Sequence, residues 1–184
     1  EYERTLKILT DEGYSFEKFP DAQAMLDSGK RFVLMRHDID LSLEKALMIA
    51  EIESKSGVTS TFFIMLRNDF YNIFSKKGTE IINNIVTLGH QIGLHFDCSA
   101  YPQNFTNKEL SQACLDECKA INGWFNINIE IISYHRPGKV VMSGDHSISH
   151  PLHHTYMPLY TSKISYKSDC RGEWKYGHPL ESQA

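Results

Sequence analysis

The amino-acid sequence predicts an α/β fold in which parallel strands alternate with helices, giving a sheet that is open or closed into a barrel. Short apolar runs rich in β-branched and aromatic residues recur along the chain, and segments with helical periodicity separate them. Strands joined through helices pair in parallel with right-handed crossovers. A length of 184 residues fits one domain over residues 1–184, and the first residue is not Met, which leaves open a truncation at one or both ends.

Two helices precede the first predicted strand. Residues Tyr2–Asp11 have helical periodicity that stops at Gly13, and residues 21–27 form a second short helix that ends near Gly29. Residues 31–39, RFVLMRHDI, are a compact apolar run that predicts a strand. The helix after it presents one buried stripe, made by Leu43, Ala46, Leu47 and Ala50.

The same alternation continues through the middle of the chain. Residues 58–66, VTSTFFIML, predict a second strand, and residues 91–96, QIGLHF, predict a third. Thr106 and Glu109 form a capping box at the start of the next helix. Residues 129–135, IEIISYH, predict a fourth strand. The helix between the second and third strands is marked by Ile81, Ile85 and Leu88.

The last part of the chain is less regular. Residues 163–169, KISYKSD, predict a strand, whereas residues 138–160 lack clear periodicity and are interpreted as an excursion from the core, such as a lid. A zinc site on the histidines of this excursion is an alternative that Pro151 disfavours, because proline interrupts the helix that would align them. These histidines are His146, His150, His153 and His154.

The composition excludes several classes of protein. The residues are 41% hydrophobic and 23% charged, and the formal net charge of -4 provides no basic surface for nucleic acid. The longest apolar runs, such as residues 61–66, fall far below the roughly 18 residues of a membrane span. The polar start shows no signal peptide, and four cysteines without dense spacing favour a cytoplasmic location. Cys114 and Cys118 lie on an apolar helical stripe and are interpreted as buried, not metal-binding. The oligomeric state is not indicated.

Titratable residues gather at the carboxyl ends of three predicted strands. Because the carboxyl ends of parallel strands meet on one side of the fold, we expect the functional site there. The first strand ends in Asp38 and Asp40, the third in His95 and Asp97, and the fourth in His135 and Arg136.

Asp38 and Asp40 are two residues apart in an extended segment, so both carboxylates point to the same side. A divalent cation relieves their repulsion, with one carboxylate as a ligand and the other free as a general base. The alternative is that one of them caps the following helix. His95 can place a neutral nitrogen on the same ion, about 3 to 4 Å from an Asp40 oxygen, or can be structural, as we expect for His90.

Four segments resemble, in order, the motifs of the polysaccharide deacetylase (NodB-homology) family, in particular the branch whose first motif reads like RHDID. The segments are RHDID at residues 36–40, GHQIGLHF at 89–96, SYHRPG at 133–138 and SDCRGEW at 168–174. The resemblance covers most of residues 31–174. It implies a distorted (β/α) barrel, similar to a TIM barrel, and a hydrolase that acts on C–N bonds other than peptide bonds.

The resemblance also implies a role for each matching residue. Asp38 is expected to be the catalytic base, Arg136 to orient it, and Asp40 and His95 to bind a divalent ion, expected to be zinc. The implied reaction removes an acetyl group from an N-acetylated sugar or related carbohydrate. A nucleotide-linked or lipid-linked precursor in surface polysaccharide synthesis is the expected substrate.

Two departures from the family pattern affect the site. The family has a second metal-binding His four residues after the first, and here that position is Ser99. A third ligand is therefore expected from Asp97 or His135, or from water. The late catalytic His, the expected general acid, has no clear match, although His178 in a Gly-His-Pro turn is a candidate.

These departures keep a second function open, a degenerate family member that binds a carbohydrate without hydrolysing it. Metal content distinguishes the two functions, because a pure binding module has no need of the ion. Aromatic residues that could stack on a sugar are Tyr101, Tyr134, Tyr156, Tyr160 and Trp174.

Overall fold

The computed structural model describes residues 1–102, 104–137, 152–168 and 177–181, and strands alternate with helices through them. The helices are α1 (Tyr2–Asp11), α2 (Ala22–Ser28), α3 (Leu43–Lys55), α4 (Lys76–Thr87), α5 (Asn107–Phe125) and α6 (Pro158–Thr161). The strands are β1 (Ser15–Phe16), β2 (Phe32–Val33), β3 (Arg36–Ile39), β4 (Thr61–Ile64), β5 (Gln91–Asp97), β6 (Ile131–His135) and β7 (His153–His154).

Five parallel strands form the main sheet. Their order in the sheet, β3-β4-β5-β6-β7, is also their order in the chain. Winding in one direction is typical of (β/α) barrels, whereas doubly wound sheets reverse their strand order. β1 and β2 form a separate parallel pair. The predicted alternation of parallel strands with helices is confirmed, but within the described ranges no ladder joins β7 to β3, so barrel closure is not shown.

Local sequence signals set the helix boundaries. α3 begins after Ser42, whose hydroxyl accepts a hydrogen bond from the Lys45 N–H at 3.2 Å. α5 begins with the predicted capping box, in which the Thr106 hydroxyl accepts from the Glu109 N–H and the Glu109 carboxylate accepts from the Thr106 N–H. It ends at Asn126, whose φ of 53° lies in the left-handed region that terminates helices. The capping-box prediction is therefore confirmed.

The main sheet has two different faces. One packs against α3, α4 and α5 in a large apolar core that includes Phe62 and Leu94. On the opposite face, here called the inner face, Phe63 and Ile131 pack with Phe19 in a smaller core. Successive strand residues point to opposite sides of a sheet, so every second residue of each strand lies on the inner face. The inner face thus also carries Arg36, Asp38, Gly93, His95, Ser133 and His135.

The predicted strand over residues 31–39 is two strands with different partners. Phe32–Val33 pairs with β1, whereas Arg36–Ile39 begins the main sheet. The Thr61 N–H donates to the Met35 carbonyl at 3.0 Å, so the main sheet starts only at this point. The apolar run predicted an extended chain correctly, but it could not show a change of pairing partner.

Two expectations for the last part of the chain are corrected. Residues 163–168 form no strand, because Ile164 alone packs against the smaller core while Tyr166 is 44% exposed, and Asp169 lies outside the described residues. The segment 138–160, expected to be irregular, contains β7 and α6 in its described part.

The apolar interpretation of two cysteines is confirmed. Cys114 and Cys118 are buried on α5 as members of the large core. Burial raises the pKa of the Cys118 thiol to about 12, so it stays protonated at neutral pH.

No helix in the described ranges has the length and apolarity needed to cross a bilayer.

A buried carboxylate joins the N-terminal helix to the sheet. Glu53 of α3 is fully buried and accepts hydrogen bonds from the Tyr2 hydroxyl, from His37 Nε2 at 2.7 Å and from the Ser60 hydroxyl at 2.6 Å. Burial raises the pKa of Glu53, but these hydrogen bonds and the charge of His37 outweigh it and lower the net value. Glu53 is therefore ionised in the folded protein, and its contribution to stability is lost as the pH falls through the lowered pKa.

Gly93 leaves room for the Phe63 ring on the inner face. A Cβ at position 93 would lie 2.6 Å from that ring and 3.1 Å from the Ile131 carbonyl oxygen. The ring is itself packed against Phe19, with centroids 5.7 Å apart, and lies 5.7 Å from the Arg36 guanidinium. We expect Gly93→Ala to lower the free energy of unfolding by about 1 to 3 kcal/mol, the usual cost of overpacking, as measured by chemical denaturation.

Gly123→Ala provides the matched control. Gly123 lies in α5, and nothing is within 4 Å of an added Cβ. Alanine there should raise the free energy of unfolding by up to about 1 kcal/mol, because alanine has the higher helix propensity. A Gly93→Ala protein as stable as wild type would contradict the packing described for Phe63.

Candidate metal centre

Three titratable side chains meet at the carboxyl ends of the strands. His95 of β5 pairs in register with Ser133 of β6, and His135 follows Ser133 by two residues, so both histidines lie on the inner face. Asp40 follows the end of β3 and lies two residues after Asp38. The same alternation therefore delivers a carboxylate from β3 to the edge where β5 and β6 deliver imidazoles.

The candidate ligand atoms form a nearly equilateral triangle. Asp40 Oδ1 lies 3.2 Å from His95 Nε2 and 3.2 Å from His135 Nδ1. The two ring nitrogens are 3.2 Å apart. The His95 side chain is only 3% exposed, whereas that of Asp40 is 49% exposed, so the triangle opens to solvent on the Asp40 side. In the described part of the chain, no other three His, Cys, Asp or Glu side chains are close enough to share an ion.

The geometry of the triangle fits a divalent ion. Tetrahedral ligand bonds of roughly 2.0 to 2.2 Å separate neighbouring ligand atoms by on the order of 3.3 Å. The three observed distances of 3.2 Å are close to that separation. Two imidazoles and one carboxylate are also a ligand set of catalytic zinc sites, which keep a fourth position for water or substrate.

A backbone carbonyl fixes the proton of His95. The Ser133 carbonyl oxygen lies 3.3 Å from His95 Nδ1 and can only accept, so Nδ1 carries the proton. Nε2 then directs its lone pair toward Asp40 and His135. Burial lowers the pKa of His95 more than the neighbouring carboxylates raise it, which favours the neutral ring. The neutral ring is the form that binds metals.

Asp38 lies beside the triangle and is held by two neighbours. Arg36 Nη2 donates to Asp38 Oδ2 at 2.5 Å, and the Ser133 hydroxyl donates to the same oxygen at 3.3 Å. Burial raises the pKa of Asp38, but the charge of Arg36, together with the neighbouring His95 and the hydrogen bonds from Arg36 and Ser133, outweighs burial and holds the net pKa below its usual value. The side chain is 28% exposed. Asp38 is therefore an ionised carboxylate in a fixed position that solvent can reach.

The cation beside Asp38 differs from the one expected. Arg136 was expected to orient Asp38, but it is exposed, and among the described residues it makes no hydrogen bond or ion pair with Asp38. The cation in contact with Asp38 in the structure is Arg36. Arg136 instead adopts a φ of 48°, unusual for a residue before proline, which turns the chain sharply after His135.

Of the two candidates for a third ligand, the structure brings His135 to the triangle and not Asp97. Asp97 Oδ1 accepts hydrogen bonds from the N–H and the hydroxyl of Ser99, at 2.8 and 2.7 Å, and so caps the turn Cys98–Ala100. Ser99, at the position of the family's second His, is thus engaged with Asp97.

Two residues of the site were missed in the sequence, Arg36 and Ser133. Arg36 precedes Asp38 by two residues, and Ser133 precedes His135 by two, so the alternation of a strand already places each pair on one side. Arg36 also donates to the Ser133 hydroxyl at 3.0 Å. That contact joins β3 to β6, two strands separated by β4 and β5, and no pattern in the sequence indicates it.

Two other histidines, His90 and His178, are not among the three side chains of the triangle. His90 is buried at the start of β5, and its Nε2 donates to the Ala50 carbonyl at 2.9 Å, which is the structural role expected for it. His178, a candidate general acid, directly precedes the turn Pro179–Glu181, which contacts α1.

The rival histidine cluster is described only in part. His153 Nδ1 lies 3.0 Å from the Tyr160 hydroxyl, and His154 is buried with its ring edge-on to Tyr134. His146 and His150 lie outside the described residues, as do residues 169–174 of the fourth motif, including Trp174.

Comparisons with known proteins show the fold. No family model and no curated protein matches the sequence. The deacetylase PplD from Streptococcus pyogenes, in complex with acetate, matches with a TM-score of 0.58 and 14% identity over 77% of this chain and 65% of that chain. IcaB from Ammonifex degensii matches with a TM-score of 0.53 and 18% identity over 72% of this chain and 64% of that chain.

The chain spans slightly less than two thirds of either structure. A CE4 family pseudoenzyme from Bacillus anthracis also matches, with a TM-score of 0.46 and 16% identity, over 66% of this chain and 41% of that chain. The first two matches show that the chain shares the α/β fold of a deacetylase structure.

Removal of a candidate ligand should strongly weaken metal binding. We expect His135→Ala to lower Co²⁺ and Zn²⁺ affinity by more than the roughly 10- to 100-fold that outer-sphere changes cost, because one corner of the triangle is lost. Affinity is measured by titration against a competing chelator. Asp97→Asn is the control and should bind as wild type does, whereas a loss confined to Asp97→Asn would assign the third ligand to Asp97.

Proposed function

We propose that this chain is a metal-dependent hydrolase that removes an acetyl group from an N-acetylated amino sugar. The observation that carries the proposal is the position of Asp38. Its ionised carboxylate accepts a hydrogen bond from the Ser133 hydroxyl, and the carbonyl oxygen of the same serine contacts His95 Nδ1, so Asp38 lies beside the triangle of ligands. Amide hydrolysis needs a base next to a group that polarises the carbonyl. Residues 36–40 support assignment to the RHDID branch, and the one-directional winding supports a distorted barrel.

Asp40, His95 and His135 would hold the ion, for which we propose zinc. A divalent ion at this position supplies a Lewis acid for the acetamide carbonyl and lowers the pKa of bound water. His95 keeps its Nδ1 proton on the Ser133 carbonyl, so its other nitrogen remains available as a ligand. The half-exposed Asp40 leaves the approach to the centre open.

Asp38 accepts the proton of the attacking water. Arg36 and Ser133 both bond Oδ2, which leaves Oδ1 to take that proton. Water adds to the carbonyl carbon, the C–N bond breaks, and the proton held by Asp38 passes to the leaving amine nitrogen. The products are acetate and a free amino sugar.

Exposed apolar side chains near the centre support a sugar as the substrate. Leu41 directly follows Asp40 and is 64% exposed, and Phe70, on the loop that bonds the Asp40 carbonyl, is 70% exposed. Such side chains suit the apolar face of a pyranose ring. The free thiols of Cys98, Cys114 and Cys118 support a reducing compartment, and thus a cytoplasmic precursor of surface polysaccharide as the substrate.

Carbohydrate binding without hydrolysis is a second candidate, favoured by Ser99. This residue is engaged with Asp97 and does not supply the family's second His. His135 provides an imidazole at the triangle instead, which makes hydrolysis the better proposal. A protein that binds N-acetylated sugars but takes up neither Zn²⁺ nor Co²⁺ would support the binding module.

Asp38→Asn should separate catalysis from metal binding. The amide is nearly isosteric but cannot accept a proton, so we expect acetate release to fall by about 10² to 10⁴ while metal affinity remains near wild type. The assay measures acetate released by Zn²⁺- or Co²⁺-loaded protein from N-acetylglucosamine oligomers and from a nucleotide-linked N-acetyl sugar. Full activity in Asp38→Asn, or no activity of the loaded wild type on any acetylated sugar, would overturn the hydrolase.

The pH dependence should report the charge of Arg36. Arg36 holds the pKa of Asp38 below its usual value, so the base stays ionised into acidic solution. In Arg36→Gln, burial still raises the pKa of Asp38, but the cation that lowers it is gone. We therefore expect the acidic limb of the rate profile to move to higher pH.

The control for this shift is Arg136→Gln, because Arg136 makes no contact with Asp38 among the described residues. Metal occupancy is measured at each pH, so that loss of the ion is not mistaken for protonation of Asp38. An acidic limb that moves in Arg136→Gln and not in Arg36→Gln would return the orienting role to Arg136.

A further inference from the structure

The loop after β4 is bonded to the backbone that carries the candidate ligand Asp40. Asn68 Nδ2 donates to the Asp40 carbonyl oxygen at 2.9 Å. Asn68 Oδ1 accepts hydrogen bonds from the N–H groups of Phe70 and Tyr71, at 2.7 and 3.1 Å. One side chain thus shapes its own loop and attaches that loop to Asp40.

Tyr71 attaches the same loop to Ile39, the residue before Asp40. Its hydroxyl donates to the Ile39 carbonyl oxygen at 2.6 Å and accepts from the Met65 N–H at 2.9 Å. Burial raises the pKa of Tyr71, so the phenol stays protonated and keeps its donor at any working pH. The hydroxyl therefore bridges the chain just past β4 to the last residue of β3.

These attachments act where the sheet no longer holds the chain. The last pair of the ladder between β3 and β4 is Ile39 with Ile64, and Asp40 lies one residue beyond it. To bind the ion, the Asp40 carboxylate must stay close to the nitrogens of His95 and His135. Strand pairing fixes the backbone of both histidines but not that of Asp40. Two side chains bond the backbone of residues 39 and 40 in its place.

We propose that Asn68 and Tyr71 are positioning residues that hold Asp40 in place for metal binding, an inference that rests on the proposed metal-dependent function. Neither is one of the three candidate ligands. They act on the carbonyl groups of Ile39 and Asp40, so their loss lets the Asp40 carboxylate move away from His95 and His135. The cost appears in metal affinity and ligand geometry.

Tyr71→Phe tests the bridge and Asn68→Asp tests the other attachment. Phenylalanine keeps the ring and removes only the hydroxyl, whereas aspartate keeps the acceptor for the loop N–H groups and removes the donor to Asp40. We expect each variant to lower Co²⁺ affinity about 10- to 100-fold, the usual effect of outer-sphere partners, and to change the visible absorption spectrum of bound Co²⁺.

Tyr160→Phe is the matched control. The Tyr160 hydroxyl also donates to a backbone carbonyl, that of Phe19 at 3.2 Å, but on the smaller core and not at Asp40. Both tyrosine variants should lower the thermal stability of the metal-free protein, whereas only Tyr71→Phe should weaken metal binding. Circular dichroism verifies that each variant is folded.

The outcomes separate the two proposals. Wild type that binds Co²⁺, with Asn68→Asp and Tyr71→Phe binding it equally well and giving the same spectrum, would overturn the positioning role alone. Equal weakening in Tyr160→Phe would also overturn it, because a general loss of stability would then explain the effect. Wild type that takes up neither Co²⁺ nor Zn²⁺ would overturn both the metal-dependent function and this role.

Discussion

Parallel pairing combined with the two-residue period of a strand is the constraint on which the site depends. Because β3 to β6 run parallel and in register, their carboxyl ends share one edge, and alternation selects which side chains face inward. A shift of one residue in β6 would turn His135 and Ser133 to the helix face and bring Tyr134 inward. The triangle and the contacts of Asp38 would then be lost together.

Much of the fold could be predicted because its signals are local. Apolar periodicity and caps depend on residues a few positions apart, which is why α1, α3 and the capping box of α5 were predicted close to their observed positions. The pairing of β2 with β1 could not be predicted in this way. It depends on contacts between distant segments, and the run over residues 31–39 looks the same whether it joins one sheet or two.

The site was predictable to the extent that strand ends determine it. Strand ends indicated Asp38, Asp40 and His95 as candidates, and the family resemblance then implied Asp40 and His95 as the ligands. His135 remained an alternative to Asp97 because both end a strand. The structure distinguishes them through Ser99, which engages Asp97 in a local turn that competes with any other role of the carboxylate. The contact of Arg36 with Asp38 was not predicted, because the family resemblance implies that Arg136 orients Asp38.

The candidate ligands come from strands that are remote in the chain, with His95 and His135 40 residues apart. An ion shared between them would bind only the assembled sheet, and mass action would then favour the folded state in proportion to the logarithm of ion concentration. For the proposed hydrolase, catalysis and the stability of the folded chain would thus both depend on the supply of the same metal. A cell short of that metal would lose the protein to degradation as well as its activity.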